Sequence, residues 1–230
     1  MGQEPTLTLN SDRPLSVKTT VLNKDIVWIS LGHIATILFG LIGVRLFTEL
    51  APLDVFGGAS LLTGAMLFIV SGLIAPVTQC HVRYQAEYTQ QGQGDSYAWI
   101  VLLYALAASV LAASPIMIAL LFMPEMRAGA GLTVLPIVLA WALATATRSV
   151  IVGRLNAERR QREYSQYLAL ESLLVLLVTA AALWLSVTVE TILIGQVAGM
   201  VLTLCLLWHV PRKPKTQSRA ESDFSSRVQQ

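Results

Sequence analysis

Cysteine, histidine and charge are all scarce in this 230-residue chain. Two cysteines, Cys80 and Cys205, both fall in segments assigned below to the cytoplasmic side, where thiols stay reduced, so no disulfide is expected. Three histidines, His33, His81 and His209, are scattered without ligand spacing, and no metal site is expected. There is no HExxH pair, no GxSxG nucleophile elbow and no glycine-rich phosphate loop. Nothing therefore calls for a cofactor, and an enzyme is not the expected reading. Only 13% of the residues are charged, against about 25% in a soluble domain. A water-soluble core is not what this composition builds.

What the chain has instead is long apolar runs. Hydrophobic residues make up 54%, and mean hydropathy is +0.62. Crossing about 30 Å of hydrocarbon at 1.5 Å per residue takes roughly 20 mostly apolar residues. Six stretches meet that length: 26–47, 57–79, 97–122, 132–152, 167–187 and 191–208. The expected fold class is all-α: a polytopic membrane protein, a bundle of six transmembrane helices.

Orientation follows from Lys and Arg. Fourteen of the sixteen lie before the first span, beside it, or in the alternate connections and tail on that same side, counting Arg148 with its adjacent loop. Only Arg45 and Arg127 lie on the other side, so the positive-inside rule puts both termini in the cytoplasm. Glu49, Asp54, Glu125 and Glu190 mark the outer face. The outer connections are short, which leaves no room for an external domain. The inner ones are longer, and Asn156 to Glu163 (NAERRQRE) is rich in helix formers and expected to extend a span as helix into the headgroup zone, facing anionic lipid.

Residues 1–25 form a polar segment with no apolar stretch of signal-peptide type, so the first span is expected to be a retained anchor. Residues 209–230 are polar with mixed charge and are expected to be a disordered cytoplasmic tail. Its basic residues serve orientation, and no nucleic-acid partner is implied.

Small residues indicate how the helices pack. Gly32, Thr36 and Gly40 recur every four residues in the first span, and Gly195 and Gly199 form GxxxG in the sixth, so both faces are expected to meet a neighbouring helix. Pro76, Pro115 and Pro136 lie within the second, third and fourth spans, where kinks are expected.

Ionisable groups inside spans are few, because a charge at the bilayer centre costs at least about 2.5 kcal/mol. Arg45, near the outer end of the first span, is either a headgroup anchor or a cavity-facing cation for an anionic ligand. His33 lies twelve residues away, about 18 Å along a helix, too far to share a site with it. Arg148 and Glu171 each lie four residues from the inner boundary of consecutive spans, so an antiparallel hairpin would bring them to one depth as an ion pair. Trp141, Thr145 and Arg148 share a helix face. The pair either holds the hairpin together or lines an inward-facing cavity, with Arg148 binding phosphate oxygens.

Residues 43–57 (GVRLFTELAPLDVFG) resemble the first hairpin of bacterial polysaccharide flippases of the multidrug/oligosaccharidyl-lipid/polysaccharide exporter superfamily, through Arg45, Leu50, Pro52, Phe56 and Gly57. The spacing from Pro52 to Phe56 is one residue longer than in the family. Residues 76–92 (PVTQCHVRYQAEYTQQG), with Arg83 and Glu87, are similar to its inner loop, and residues 154–162 (RLNAERRQR) to its basic segment after the fourth span. The resemblance runs through nearly all of residues 20–209. It implies the N-terminal six-helix lobe of a two-lobed transporter in the bacterial inner membrane. The substrate so implied is an isoprenoid-diphosphate-linked oligosaccharide, moved from the inner to the outer leaflet for surface polysaccharide synthesis, including lipopolysaccharide. A homodimer or a separate C-terminal lobe would complete the cavity. Arg45 and Arg148 are the candidate cations, and His33, Gln79 and Gln196 the candidate hydrogen-bonding groups. Two alternatives stand beside this: a non-transporting accessory or scaffold subunit, and a membrane enzyme using Glu49 and Asp54 on a lipid or glycan.

Overall fold

A computed structural model describes residues 16–122 and 131–208. The polar segment before residue 16, the stretch holding Glu125 and Arg127, and the tail from His209 onward lie outside the described residues. Within them the fold is all-helical: α1 (Ser16–Leu50), α2 (Leu53–Gln90), α3 (Gly94–Phe122), α4 (Val134–Ala157), α5 (Gln161–Leu185) and α6 (Val189–Trp208). All six are long and apolar enough to cross a membrane.

The helices overrun their expected spans, chiefly at the end that carries Arg83, Arg154 and Arg159–Arg162, called here the basic end. The 38 residues of α2 extend over about 57 Å, well beyond a hydrocarbon core. The connections expected to be long loops there are three-residue turns, 91–93 and 158–160. Both turns close in the same way. Gly92, at φ +75°, lets Gln93 N–H donate to the Tyr88 carbonyl (2.9 Å) and Gly92 N–H to that of Thr89 (3.2 Å). After α4 the same two bonds run from Arg160 to Leu155 and from Arg159 to Asn156, each 3.0 Å, with Arg159 at φ +54°. The NAERRQRE helix is thus interrupted at 158–160, because a left-handed residue there satisfies the last carbonyls of α4 and reverses the chain.

At the opposite end α1 stops at Leu50, since Ala51 precedes Pro52 and is driven out of the helical region. This connection is two residues long, shorter than expected. Pro76 and Pro115 lie in helix interiors. Pro136 does not: it is the third residue of α4, in the first turn, where no intrahelical donor is lost, so the expected kink has no cause there.

The core lies among α2, α3, α4 and α6. Met66, Val70 and Ile74 of α2 and Trp141, Ala142 and Ala146 of α4 belong to one buried cluster, in which the small Ala105, Ala112 and Ala113 of α3 and Ile192 and Leu193 of α6 also take part. Helix α5 packs along α6, and α1 leans on α5 and touches α2 little beyond their connecting turn. Glycine sets these contacts. A Cβ on Gly195 would stand 2.6 Å from the Thr179 Cα, one on Gly199 2.6 Å from the Val175 Cα, and one on Gly32 2.9 Å from the Ser165 Cα. Gly40 departs from the expectation: a Cβ there would meet nothing within 4 Å, because α1 touches α5 along one face only and Gly40 lies beside the gap between α1 and α2.

Candidate functional site

Because α1 and α2 diverge from their turn, a cleft of about 440 Å³ opens between them, floored by α5 and α6. It runs from Phe47 and Phe56 beside the turn to Thr36 and Leu67, eleven residues along each helix, or about 16 Å. Its walls are mainly apolar, with Phe39, Val44, Val175 and Leu176 among them. Five polar side chains interrupt them: Thr36, Ser60, Thr63, Ser172 and Gln196. Thr36 and Ser172 turn back on their own helices, donating to Gly32 (3.0 Å) and Leu168 (2.8 Å) carbonyls. Thr63 donates across the floor to the Gln196 carboxamide oxygen at 3.4 Å. The other end of that carboxamide and the Ser60 hydroxyl have no protein partner among the described residues. None of the described residues lining the cleft is ionisable.

The second polar feature is the α4–α5 hairpin. Arg148 lies nine residues before the end of α4 and Glu171 ten after the start of α5, so the tight turn brings them to one level. Arg148 Nε donates to Glu171 Oε2 at 2.7 Å and lies 2.5 Å from Oε1. The Glu171 side chain is 8% exposed and the Arg148 side chain 32%. On the same two helices, within about two turns of the pair, Trp141 Nε1, Thr145 Oγ1 and the Tyr167 hydroxyl are buried and have no partner among the described residues. In hydrocarbon such orphaned donors are costly, at about 1–3 kcal/mol each.

Of the five cavity candidates, only Gln196 lines the cleft. Arg45 is 80% exposed and paired with Glu49 at 2.7 Å, one turn along α1. His33 is exposed, edge-on to Tyr164 with ring centroids 6.4 Å apart. Gln79 is exposed on α2, and Arg148 belongs to the hairpin pair. These groups do not converge on one site, since each occupies a different helix face.

Two features at the ends of the bundle went unread in the sequence. At the basic end, His81 and Gln85 are fully buried between α2, α3 and α4. Tyr97 stacks on Tyr88 (centroids 4.3 Å) and on His81 (5.7 Å), and Gln85 Nε2 donates to the Gly94 carbonyl at 3.3 Å. Arg154 bridges α4 to α3 through Asp95 (2.7 Å) and also holds Glu158 (3.0 Å). Arg160 pairs with Glu163 and Glu158, and its bond to Glu163 raises its pKa further above the ordinary arginine value. At the other end Glu190 accepts from the Gly131 N–H (2.7 Å) and the Thr133 hydroxyl (3.3 Å), tying α6 to the segment before α4. The i to i+4 spacing of Arg154 and Glu158 was visible in the sequence; the bridge to Asp95, 59 residues away, was not. The described residues hold no group of three or more His, Cys, Asp or Glu side chains able to bind a metal.

No protein-family model, curated protein or solved structure matches the chain.

Proposed function

We propose that this chain is one half of a membrane transporter. Its substrate in this reading is a lipid-linked, isoprenoid-diphosphate oligosaccharide, carried from the inner to the outer leaflet of a bacterial inner membrane, with both chain termini in the cytoplasm. The observation that carries the reading is the cleft between α1 and α2: a hollow with five polar side chains in mainly apolar walls, lying between two helices long enough to cross a membrane and bordered by a helix that, among the described residues, packs chiefly on α5. A charged, hydrated headgroup cannot cross hydrocarbon unaided, and a polar hollow between helices is the physical means of passing one. The resemblance of residues 43–57, 76–92 and 154–162 to polysaccharide flippases supplies the substrate class. A second six-helix unit, either another copy or a separate lobe, closes the cleft and contributes cations for the diphosphate.

One observation favours a second reading. Arg45 and Arg148 are each paired with an acid and stand away from the cleft, as suits a non-transporting accessory subunit. Proteoliposomes loaded with a fluorescent isoprenoid-diphosphate oligosaccharide separate the two. Transport predicts loss of quencher-protected fluorescence at a rate that drops when Gly64, open in the cleft, becomes Trp. No exchange, with the protein folded and in its native assembly, supports the accessory subunit.

A further inference from the structure

The cleft differs from the other polar sites in being entirely uncharged. Gln196 is seven residues into α6, about 10 Å from its start, and Thr63 ten residues into α2, about 15 Å from its start. Both therefore lie within the hydrocarbon if the helices span it. The walls are mainly apolar, and a hollow that opens sideways at this depth faces hydrocarbon and not bulk water. A carboxamide with one end uncommitted, beside a free Ser60 hydroxyl, must still find a hydrogen-bonding partner there, because water is absent from the bilayer core. A charged headgroup cannot follow to that depth without a counter-ion, and among the described lining residues there is none.

From these constraints we infer that the cleft is a binding site for a neutral lipid. Its occupant is a hydrocarbon chain laid along Phe39, Phe56 and Leu67, carrying an uncharged ester or hydroxyl that hydrogen-bonds to Gln196 and Ser60. In the six-helix unit by itself the absence of lining charge selects against phosphate-bearing lipids, which the transport reading admits only once a second unit adds cations, and the Gln196–Thr63 contact holds the carboxamide in position for the neutral head. Glycine provides the width. A Cβ on Gly40 or Gly64 would meet nothing within 4 Å, whereas Gly32, Gly195 and Gly199 are spent on helix contacts. This site goes beyond the transport reading and does not depend on it, since occupancy is an equilibrium property.

The test is photolabelling of the full-length protein in nanodiscs by diacylglycerol with a diazirine in one acyl chain. Phosphatidylglycerol with the same chain and label, at equal mole fraction, is the anionic comparison. Adducts mapped by peptide mass spectrometry are expected at Phe39, Phe56 or Leu67 with diacylglycerol, and about tenfold less with phosphatidylglycerol. Gln196→Leu is expected to cut diacylglycerol labelling about tenfold, and Gly64→Leu, which fills open space rather than displacing a neighbour, to abolish it with the thermal midpoint unchanged. Equal labelling of the cleft by both lipids, adducts confined to other helix faces, or labelling unaffected by Gln196→Leu in a folded protein would each overturn the assignment. Flipping of a lipid-linked oligosaccharide is not measured in this experiment, so its failure and the failure of the transport reading are separable.

Discussion

Arg148 and Glu171 show how one pair of residues can fix a hairpin. A buried ion pair adds little net stability, since desolvation offsets the attraction, but breaking it leaves an uncompensated charge. Glu171→Gln is therefore expected to destabilise the protein by about 3 kcal/mol, seen as a lower thermal midpoint in nanodiscs. The double change Glu171→Gln with Arg148→Met should recover most of that loss. A double variant no more stable than the single one would show that the guanidinium contributes something besides pairing. The pairing was legible in the sequence because depth along two consecutive helices is simple arithmetic. Arg45, His33, Gln79 and Gln196 were legible only as polar residues in apolar surroundings. Which helix face each would occupy was not, since lipid-facing and protein-facing positions are equally apolar in a membrane helix and the usual amphipathic stripe is missing.

At the scale of elements, glycine separates helix faces in use from faces left open. Gly199→Leu should drive α6 from α5 and cost at least about 2 kcal/mol, because the inserted side chain would meet the Val175 backbone. Gly57→Leu, with nothing within 4 Å of its Cβ position, should leave the thermal midpoint nearly unchanged. Thermal unfolding of the two variants side by side compares these contacts, and an equal loss in both would contradict the packing described. The α4–α5 turn supplies a gain instead of a loss. Arg159 takes a left-handed conformation that disfavours a side chain by about 1 kcal/mol, so Arg159→Gly should raise stability by up to that amount in the same assay. The six apolar runs were legible from length and hydropathy alone. Helix ends were not, because the polar residues beyond each run are good helix formers too, and helix length there is decided by the turn that stops it. The left-handed turn at Arg159 had no sequence signal, since glycine is the residue that normally marks one.

For the whole molecule, six antiparallel passes gather Arg83, Arg154, Arg159, Arg160 and Arg162 at one end of the bundle. If that end is cytoplasmic, as the charge bias proposes, then in a cysteine-free background Gln91→Cys should react with a membrane-impermeant maleimide only from the cytoplasmic side, and Leu53→Cys only from outside. The reverse pattern would invert the topology. A larger question is posed by α1. Among the described residues it packs chiefly on α5, and Ile34, Ile37, Leu38 and Leu41 are more than half exposed along its length. Lipid satisfies such a face as well as protein does. On the proposed transport reading, one six-helix unit offers one wall of a passage and a second unit completes it.

The most direct test of that claim is native mass spectrometry of the protein released from membrane-derived nanodiscs, with crosslinks placed at Ser60 and Phe39. The half-transporter account predicts an assembly of two six-helix units, as a homodimer or as a pair with a different chain, with crosslinks joining the units across the cleft. A 25.0 kDa monomer that persists at all protein-to-lipid ratios, with no intermolecular crosslink, would contradict it.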